Sequence, residues 1–227
     1  MTNRVVLNVA VNQNPNAPYV HWQGRLLKSL SLNGGKPPVL SWTNSYPFGS
    51  PTHNDNPYAF KLYAIDEARR LGFSTILWLD SGIYAIRNID PLFVAVEDAG
   101  VYIVRDDSSL SKFCSDETFK YFGMTREQAE GLHIACGAVI GLNFRKPVTL
   151  DFYNDWKKAY SNGLYRGTVS KHSGMEDHRG DESILGILMA RYSLCWRTLK
   201  EHFSSDAPPH DNTILRSGYY DREDMPL

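Results

Sequence analysis

Apolar, strand-like runs alternate with helix-like segments through most of this sequence, and that alternation limits the possible folds more than any other feature. The strand-like runs lie at residues 5–11, 38–42, 74–79, 101–104 and 135–144, and the helix-like segments at residues 20–32, 57–71, 150–160 and 181–192. Strands that alternate with helices are typical of α/β folds, in which helical crossovers join the strands of a sheet. A chain of 227 residues suits one such domain. We therefore predict a single α/β domain over residues 1–227.

Charge and cysteine content narrow the class of protein. The formal net charge is -1, so the sequence gives no basic surface for nucleic acid. The cysteines are Cys114, Cys136 and Cys195, an odd number without paired spacing, which argues against both a disulfide framework and a zinc site. No run approaches the roughly 18 apolar residues that span a bilayer. We predict a cytoplasmic protein without a transmembrane segment.

The apolar run at residues 74–79 leads directly into Asp80. In open α/β sheets, ligands bind beyond the carboxyl ends of the strands, so Asp80 occupies a position where a ligand is expected. The alternative is that Asp80 only begins a turn, where aspartate is common because its side chain bonds to nearby backbone. The strand end alone leaves both interpretations open.

The helix-like segment before this strand carries a lysine on its inner side. With a period of 3.6 residues, its apolar stripe is Tyr58, Leu62, Ile65 and Ala68, and Lys61 points into the same sector. A lysine directed inward requires an anion, unless its stem merely runs along the helix to reach water. Because the helix runs antiparallel to the next strand, we expect Lys61 and Asp80 to reach the same edge of the sheet.

The segment containing these two residues resembles the nucleotide-sugar-binding core of glycosyltransferases with the GT-A fold. The similarity to this core lies in residues 57–93, including the Trp-Leu-Asp at residues 78–80, and the resemblance as a whole covers most of residues 5–192. Residues 135–143 are similar to the strand of small residues that lines the sugar pocket in those enzymes, and residues 181–185 to the helix start near the transferred sugar. This resemblance implies a GT-A-like (Rossmann-like) domain with a mixed, mostly parallel sheet, divided into a donor part at about residues 1–105 and an acceptor part at about residues 106–227.

The resemblance also implies a reaction and a set of site residues. The reaction is transfer of a sugar from a nucleoside diphosphate sugar, UDP-linked by expectation, to a glycan or another hydroxyl acceptor. Asp181 would face the reacting sugar or the acceptor hydroxyl, as general base in an inverting enzyme or as an orienting group in a retaining one. Its alternative role is that of a helix N-cap. The residues expected to bind the donor are Asn12, Gln13, Lys61, Asp80, Ser81, Gly82, Cys136 and Gly137.

The acidic motif departs from the pattern of those enzymes. They usually carry Asp-x-Asp at the strand end to hold Mn²⁺ or Mg²⁺ against the diphosphate, whereas this chain has Asp80-Ser81-Gly82. We predict a metal held by Asp80 with help from another residue. The resemblance implies His210 as the candidate, because those enzymes often supply a histidine from the C-terminal segment. The alternative is metal-independent catalysis, in which Lys61 and another cation neutralise the leaving diphosphate.

Residues 161–180 are polar, contain glycine and lack a pattern, so they are predicted to form either a mobile lid or a poorly ordered loop. His172, Glu176, Asp177 and His178 fall within this segment. Their spacing is weak evidence for a metal cluster without a regular element to fix it. We favour a lid that contacts the acceptor.

Three other functions compete with this interpretation. A catalytically inactive domain that binds a nucleotide sugar or carbohydrate would explain the incomplete acidic motif. A sugar-phosphate nucleotidyltransferase would carry a glycine-rich loop after its first strand, where this chain has the unrelated residues 12–18. A dinucleotide oxidoreductase is disfavoured because no GxGxxG follows the first strand.

Overall fold

The computed structural model describes residues 3–12, 17–33, 35, 37–167, 175–198, 202–204 and 211–218. The strands of the main sheet are β1 (Arg4–Ala10), β2 (Val39–Thr43), β3 (Thr75–Leu79), β5 (Val101–Ser109) and β6 (His133–Asn143). A small sheet contains β4 (Ile83–Ala85), β7 (Phe203–Ser204) and β8 (Leu215–Ser217). The helices are α1 (Tyr19–Asn33), α2 (Phe60–Arg70), α3 (Asp90–Ala99), α4 (Leu110–Phe113), α5 (Asp116–Phe122), α6 (Pro147–Ser161) and α7 (Asp181–Arg191).

The main sheet has the strand order β2-β1-β3-β6-β5. β1 pairs in parallel with β2 and with β3, whereas β6 runs antiparallel to both β3 and β5. Four of the five strands therefore point the same way, which confirms the predicted mixed, mostly parallel sheet. Asp80 follows β3 directly, at the edge where β1 and β2 also end.

Helices cover both faces of this sheet, because the side chains of each buried strand alternate between two apolar layers. One layer packs Ile76 and Trp78 of β3 against α2, α6 and α7. The other packs Leu77 and Leu79 against α1, α3 and the small sheet. All five residues of β3 are buried, as expected for a strand enclosed on both sides. Within the residues described, no helix is both long and apolar enough to cross a membrane.

The start of α2 differs from the prediction. The sequence places Tyr58 on the helix stripe, but the helix begins at Phe60 and Tyr58 has a left-handed backbone with φ of 62°. Such a backbone is rare for a residue with a side chain, and it turns Tyr58 away from the helical path. The structure buries the other residues that were predicted on the inner side of α2: Lys61, Leu62, Ile65 and Ala68.

Buried amide side chains fix the end of β3 relative to its neighbours. Asn8, which is fully buried in β1, donates from Nδ2 to the carbonyl oxygen of Leu79 at 2.6 Å. Its Oδ1 accepts a 2.8 Å hydrogen bond from Nε2 of Gln23 in α1. Burying a polar group costs free energy unless the group is hydrogen-bonded. These bonds therefore favour a single arrangement of β1, β3 and α1.

The small sheet braces the loop after Asp80 from the other side. β4 pairs antiparallel with β8, and the amide of Gly218 donates to the carbonyl oxygen of Gly82 at 2.8 Å. Nη2 of Arg25 donates to the carbonyl oxygen of Gly218 at 2.9 Å and lies 3.4 Å from that of Gly82. The loop at residues 80–82 is therefore held between the main sheet and residues 215–218.

Candidate active site

A cleft of about 470 Å³ opens at the carboxyl edge of β1 and β3. Its floor includes Asp80 and Ser81, which follow β3, and Val9 and Val11 from the end of β1. Its walls are mainly aromatic: Tyr19, Tyr46, His53, Tyr58 and Phe60, together with Asn54. The cleft therefore combines a carboxylate with flat apolar surfaces, a composition typical of small-molecule sites.

The aromatic wall is held together by ring contacts. His53 and Tyr58 pack edge to face with their ring centroids 4.8 Å apart, and Phe60 lies 5.8 Å from Trp78. Burial, followed by the positive charge of Lys61, lowers the pKa of His53 below its ordinary value of 6.5. The imidazole is therefore neutral at neutral pH, and this wall adds no positive charge to the cleft.

Lys61 lies beneath the cleft and is 2% exposed. Its Nζ donates to Oδ2 of Asp181 at 2.7 Å and to the carbonyl oxygen of Gly137 at 2.8 Å. Oδ1 of Asp80 lies 3.9 Å from the same nitrogen. Lys61 and Asp80 thus meet at one edge of the sheet as expected, but the nearest anion to the ammonium is a carboxylate of the protein itself.

Three acidic side chains determine the charge state of this lysine. Burial alone would lower the pKa of Lys61, but the negative charges of Asp181, Asp80 and Glu182 outweigh that effect and raise the pKa above its usual value. Lys61 is therefore an ammonium ion at neutral pH. Removing this charge would leave the buried carboxylate of Asp181 without its counter-charge.

Asp181 is the first residue of α7, and its side chain is 1% exposed. The N-cap position is occupied by Gly180, with φ of 49°, and no side chain caps the helix there. Asp181 therefore does not act as the N-cap, the alternative role that the sequence left open. Its Oδ2 binds Lys61, while its buried Oδ1 has no hydrogen-bond partner among the described residues.

Asp80 is the more accessible carboxylate, with 28% of its side chain exposed. Its backbone amide donates to the carbonyl oxygen of Ala138, and its Oδ1 accepts a 2.7 Å hydrogen bond from Nε1 of Trp78. These contacts orient the carboxylate at the cleft floor. It is positioned to meet a ligand from the solvent side and Lys61 from the protein side.

Gly137, in β6, leaves room for the side chains of Lys61 and Asp181 to pair. A Cβ atom at this position would lie 3.0 Å from Nζ of Lys61 and 3.3 Å from Oδ2 of Asp181. Any side chain would therefore crowd the ammonium-carboxylate pair. Cys136, the preceding residue, packs against the apolar layer on the opposite face of the sheet. Burial raises the pKa of its thiol to about 12. The predicted role of Cys136 in donor binding stays a prediction.

Glu182 is a site residue that the sequence reasoning did not single out. Its Oε1 accepts a 3.1 Å hydrogen bond from the amide of Gly137, and its Oε2 lies 3.6 Å from Nη1 of Arg179. Burial, followed by the charge of Asp181, raises the pKa of Glu182 to about 7. The available signal was a second acidic residue directly after Asp181 at a helix start, but helices commonly begin with acidic residues because of the helix dipole.

Replacing Glu182 with glutamine is expected to stabilise the protein at pH 8 but not at pH 4.5. The pKa of Glu182 rises from 4.5 in the unfolded chain to about 7 in the fold, so the stability linked to its protonation is full below 4.5 and lost as the pH rises through 7. Glutamine mimics the protonated form at every pH. The gain at pH 8 should be on the order of 2–3 kcal/mol, measured by urea unfolding. An equal gain at both pH values would contradict the raised pKa.

The remaining predicted residues occupy varied places. Ser81 lies in the cleft floor and donates from Oγ to the carbonyl oxygen of Val9 at 3.1 Å. Gly82 is buried and belongs to the braced loop. Asn12 is exposed, and its Oδ1 accepts from the amide of Val20 at the start of α1. Their donor contacts stay predictions. Gln13, His172 and His210 lie outside the described residues.

Within the described part of the chain, no group of three or more histidine, cysteine, aspartate or glutamate side chains is arranged to hold a metal ion. Of the two predicted metal ligands, only Asp80 belongs to the described residues, and Lys61 lies beside it. A Mn²⁺ or Mg²⁺ ion usually takes about six oxygen ligands. The described side chains alone do not fit such an ion, so the predicted metal would need further ligands, such as donor oxygens or His210.

No family model matches the sequence. No curated protein matches it either. Among solved structures, the chain is similar to mouse xyloside xylosyltransferase 1 in its apo form, with a TM-score of 0.56 and 13% sequence identity, over 99% of each chain. The chain therefore has a GT-A-like fold.

Proposed function

We propose that this protein is a glycosyltransferase that takes a nucleoside diphosphate sugar, with UDP as the nucleotide, and transfers the sugar to a hydroxyl of a glycan or another acceptor. In this proposal residues 1–105 mainly bind the donor, and residues 106–227 form the acceptor side. The fold supports the general class. The donor and the site residues are supported by the chemistry of the cleft.

The buried charge cluster below the cleft is the observation that carries the proposal. Lys61 binds Asp181 at 2.7 Å and lies 3.9 Å from Asp80, with both carboxylates near the end of β3. A fold does not need a buried ion pair for stability, since such pairs are often no better than apolar packing. A cluster of this kind at the ligand-binding edge of an α/β sheet is therefore a functional-site candidate.

The cleft offers two kinds of contact to a nucleotide sugar. The flat rings of Tyr19, Tyr46 and Tyr58 provide surfaces on which a nucleobase or a sugar face can stack. Asp80 at the cleft floor can accept hydrogen bonds from ribose or sugar hydroxyls. Oδ1 of Asp181, which has no partner among the described residues, can accept another once the donor reaches the cluster.

In the proposed reaction an acceptor hydroxyl oxygen bonds to the anomeric carbon of the donor sugar. The bond from that carbon to the diphosphate oxygen breaks, and the nucleoside diphosphate leaves with the electron pair. Asp181 is shielded by Lys61, so we assign it to positioning of the sugar. Glu182 is 26% exposed and titrates near neutrality, so its ionised form can take the hydroxyl proton if the reaction inverts the anomeric centre. In a retaining reaction the leaving diphosphate would take it.

A donor screen tests the proposal. The purified protein is mixed with UDP, GDP, CMP and their sugar conjugates, with Mn²⁺ or with EDTA, and its melting temperature is measured. A ligand that binds only the folded state raises the melting temperature, and at a given concentration the rise is larger for a tighter ligand. We expect the largest rise with a UDP-sugar. Release of UDP in the presence of a panel of simple glycoside acceptors then measures turnover.

The outcomes separate the competing functions. A rise in melting temperature without release of UDP, for every acceptor, would favour the inactive binding domain. Release of pyrophosphate from a nucleoside triphosphate and a sugar phosphate would favour a nucleotidyltransferase. Absence of both binding and turnover with all nucleotide sugars would contradict the proposal. The anomeric configuration of the product, read by NMR, would decide which group takes the proton.

A further inference from the structure

Residues 175–180 form the anchor segment, the stretch of chain that leads into α7. The sequence predicts a lid for these residues, but in the structure their backbone is bonded to the last two residues of α4. The amide of Glu176 donates to the carbonyl oxygen of Lys112 at 2.8 Å, and that of Arg179 to the carbonyl oxygen of Phe113 at 3.1 Å. Since Asp181 follows the anchor segment directly, these bonds determine where its carboxylate lies.

His178 forms the central side-chain contact of the anchor segment. Its Nδ1 lies 3.2 Å from the backbone nitrogen of Ser115, which donates to it, and its Nε2 lies 2.8 Å from the carbonyl oxygen of Leu164. A carbonyl oxygen can only accept, so Nε2 must carry the hydrogen. Nδ1 must then be bare to accept from Ser115. Both bonds exist together only in the neutral ring with hydrogen on Nε2.

The surroundings of the ring leave little room for another arrangement. A Cβ atom at Gly167 would lie only 2.4 Å from ring atoms of His178, so the chain passes closely over the imidazole. Ser115 is the N-cap of α5, where its Oγ accepts from the amide of Thr118. His178 thus joins three parts of the chain: the anchor segment, the start of α5 and the connection that follows α6.

We propose that His178 is a positioning residue whose neutral imidazole holds the first turn of α7, and that protonation of the ring displaces the carboxylates of Asp181 and Glu182. A protonated ring presents N–H groups at both nitrogens, and the amide of Ser115 would then face a donor. The bond between them is lost, and the anchor segment loosens. The effect on turnover rests on the proposed glycosyltransferase function, whereas the effect on the anchor segment does not.

The charges around the ring give the direction of its pH dependence. Burial lowers the pKa of His178 below its ordinary value of 6.5, and it outweighs the opposite effects of the Leu164 carbonyl, Asp177 and Glu117. The anchor segment also carries the Lys112–Glu176 ion pair at 3.1 Å, and Arg126 pairs with Asp116 beside the start of α5. Stability linked to the neutral ring is present above 6.5 and is lost as the pH falls through the lower folded-state value.

The test uses NMR and hydrogen exchange on the Glu182→Gln protein, in which the neighbouring carboxyl no longer titrates. Nitrogen chemical shifts of the labelled histidines report tautomer and pKa, and His178→Asn assigns the signal. We expect the tautomer with hydrogen on Nε2. Between about pH 7.5 and pH 5, amide exchange at residues 181–184, corrected for intrinsic rates, should rise about tenfold or more. In His178→Asn, whose side-chain oxygen can still accept from Ser115, the corrected rates should not change with pH.

His21→Asn is the matched control, because His21 is exposed on α1 and should leave the pH dependence unchanged. The opposite tautomer at His178, or its titration without faster exchange at residues 181–184, would overturn the proposal. If His178→Asn fails to fold, the tautomer and the pH series of the parent protein still decide the question. Activity of the wild-type and His178→Asn proteins over the same pH range then tests the link to turnover. Loss of the proposed function alone would leave the exchange result intact.

Discussion

Replacement of Lys61 with methionine is expected to lower the free energy of unfolding by about 3–5 kcal/mol. Methionine keeps most of the side-chain volume but removes the charge that binds Asp181 at 2.7 Å. The carboxylate of Asp181 then remains buried without a counter-charge, and its desolvation is no longer offset. Urea unfolding at neutral pH measures the loss.

Two further variants separate the charge effect from packing. Lys28→Met, on the exposed face of α1, should change stability by no more than about 0.5 kcal/mol. Combining Lys61→Met with Asp181→Leu removes both charges and should recover part of the loss, because apolar replacement of a whole buried pair is often nearly neutral. Wild-type stability in the Lys61→Met protein would show that the pair contributes nothing to the fold.

Asp80→Asn is expected to lower kcat/KM for the donor by about 100-fold or more while the protein stays folded, which is the order of effect for losing one electrostatic contact with the reacting groups. The amide oxygen of asparagine can still accept from Nε1 of Trp78, and the position is partly exposed, so little stability should be lost. Steady-state release of nucleoside diphosphate gives the rate, and a thermal melt verifies folding.

The matched control is Asp98→Asn. Asp98 is exposed on α3 near the start of β5, at the opposite edge of the sheet from the cleft. It removes the same charge from the protein as a whole without touching the site, so wild-type kinetics are expected. A similar loss of rate in both variants would point to net charge rather than to the position of Asp80. Normal kinetics in Asp80→Asn would remove Asp80 from the site.

The sequence predicted the parallel core because that information is local. The apolar run before Asp80 and the apolar stripe of α2 are each formed by residues that are close together in the sequence. The structure contains both, with small differences in length. The direction of β6 was not readable, since periodicity does not distinguish parallel from antiparallel strands. The short α5 and the three-residue β4 were missed because they depend on tertiary packing, which overrides weak local preference.

The sequence could predict the candidate site only where a helix leads directly into the next strand, because that connection determines which ends of the two elements meet. Lys61 and Asp80 belong to a helix and the strand that follows it, so their meeting could be foreseen. The bond between Lys61 and Asp181 joins residues 120 positions apart, and no local pattern specifies it. The raised pKa of Glu182 and the aromatic wall, which Tyr19 forms with residues 46–60, likewise depend on how distant segments pack.

The pairing of β4 with β8 affects the order in which parts of the protein fold. Residues 83–85 find their sheet partner only at residues 215–217, more than a hundred positions later, and Gly82 bonds to Gly218. Contacts between such distant residues form late, because a long loop must close first. During synthesis the five-stranded sheet can therefore assemble while the strand-end loop beside Asp80 is still unsupported. A chain that stops before residue 215 would retain that sheet but lack the brace that shapes the cleft floor.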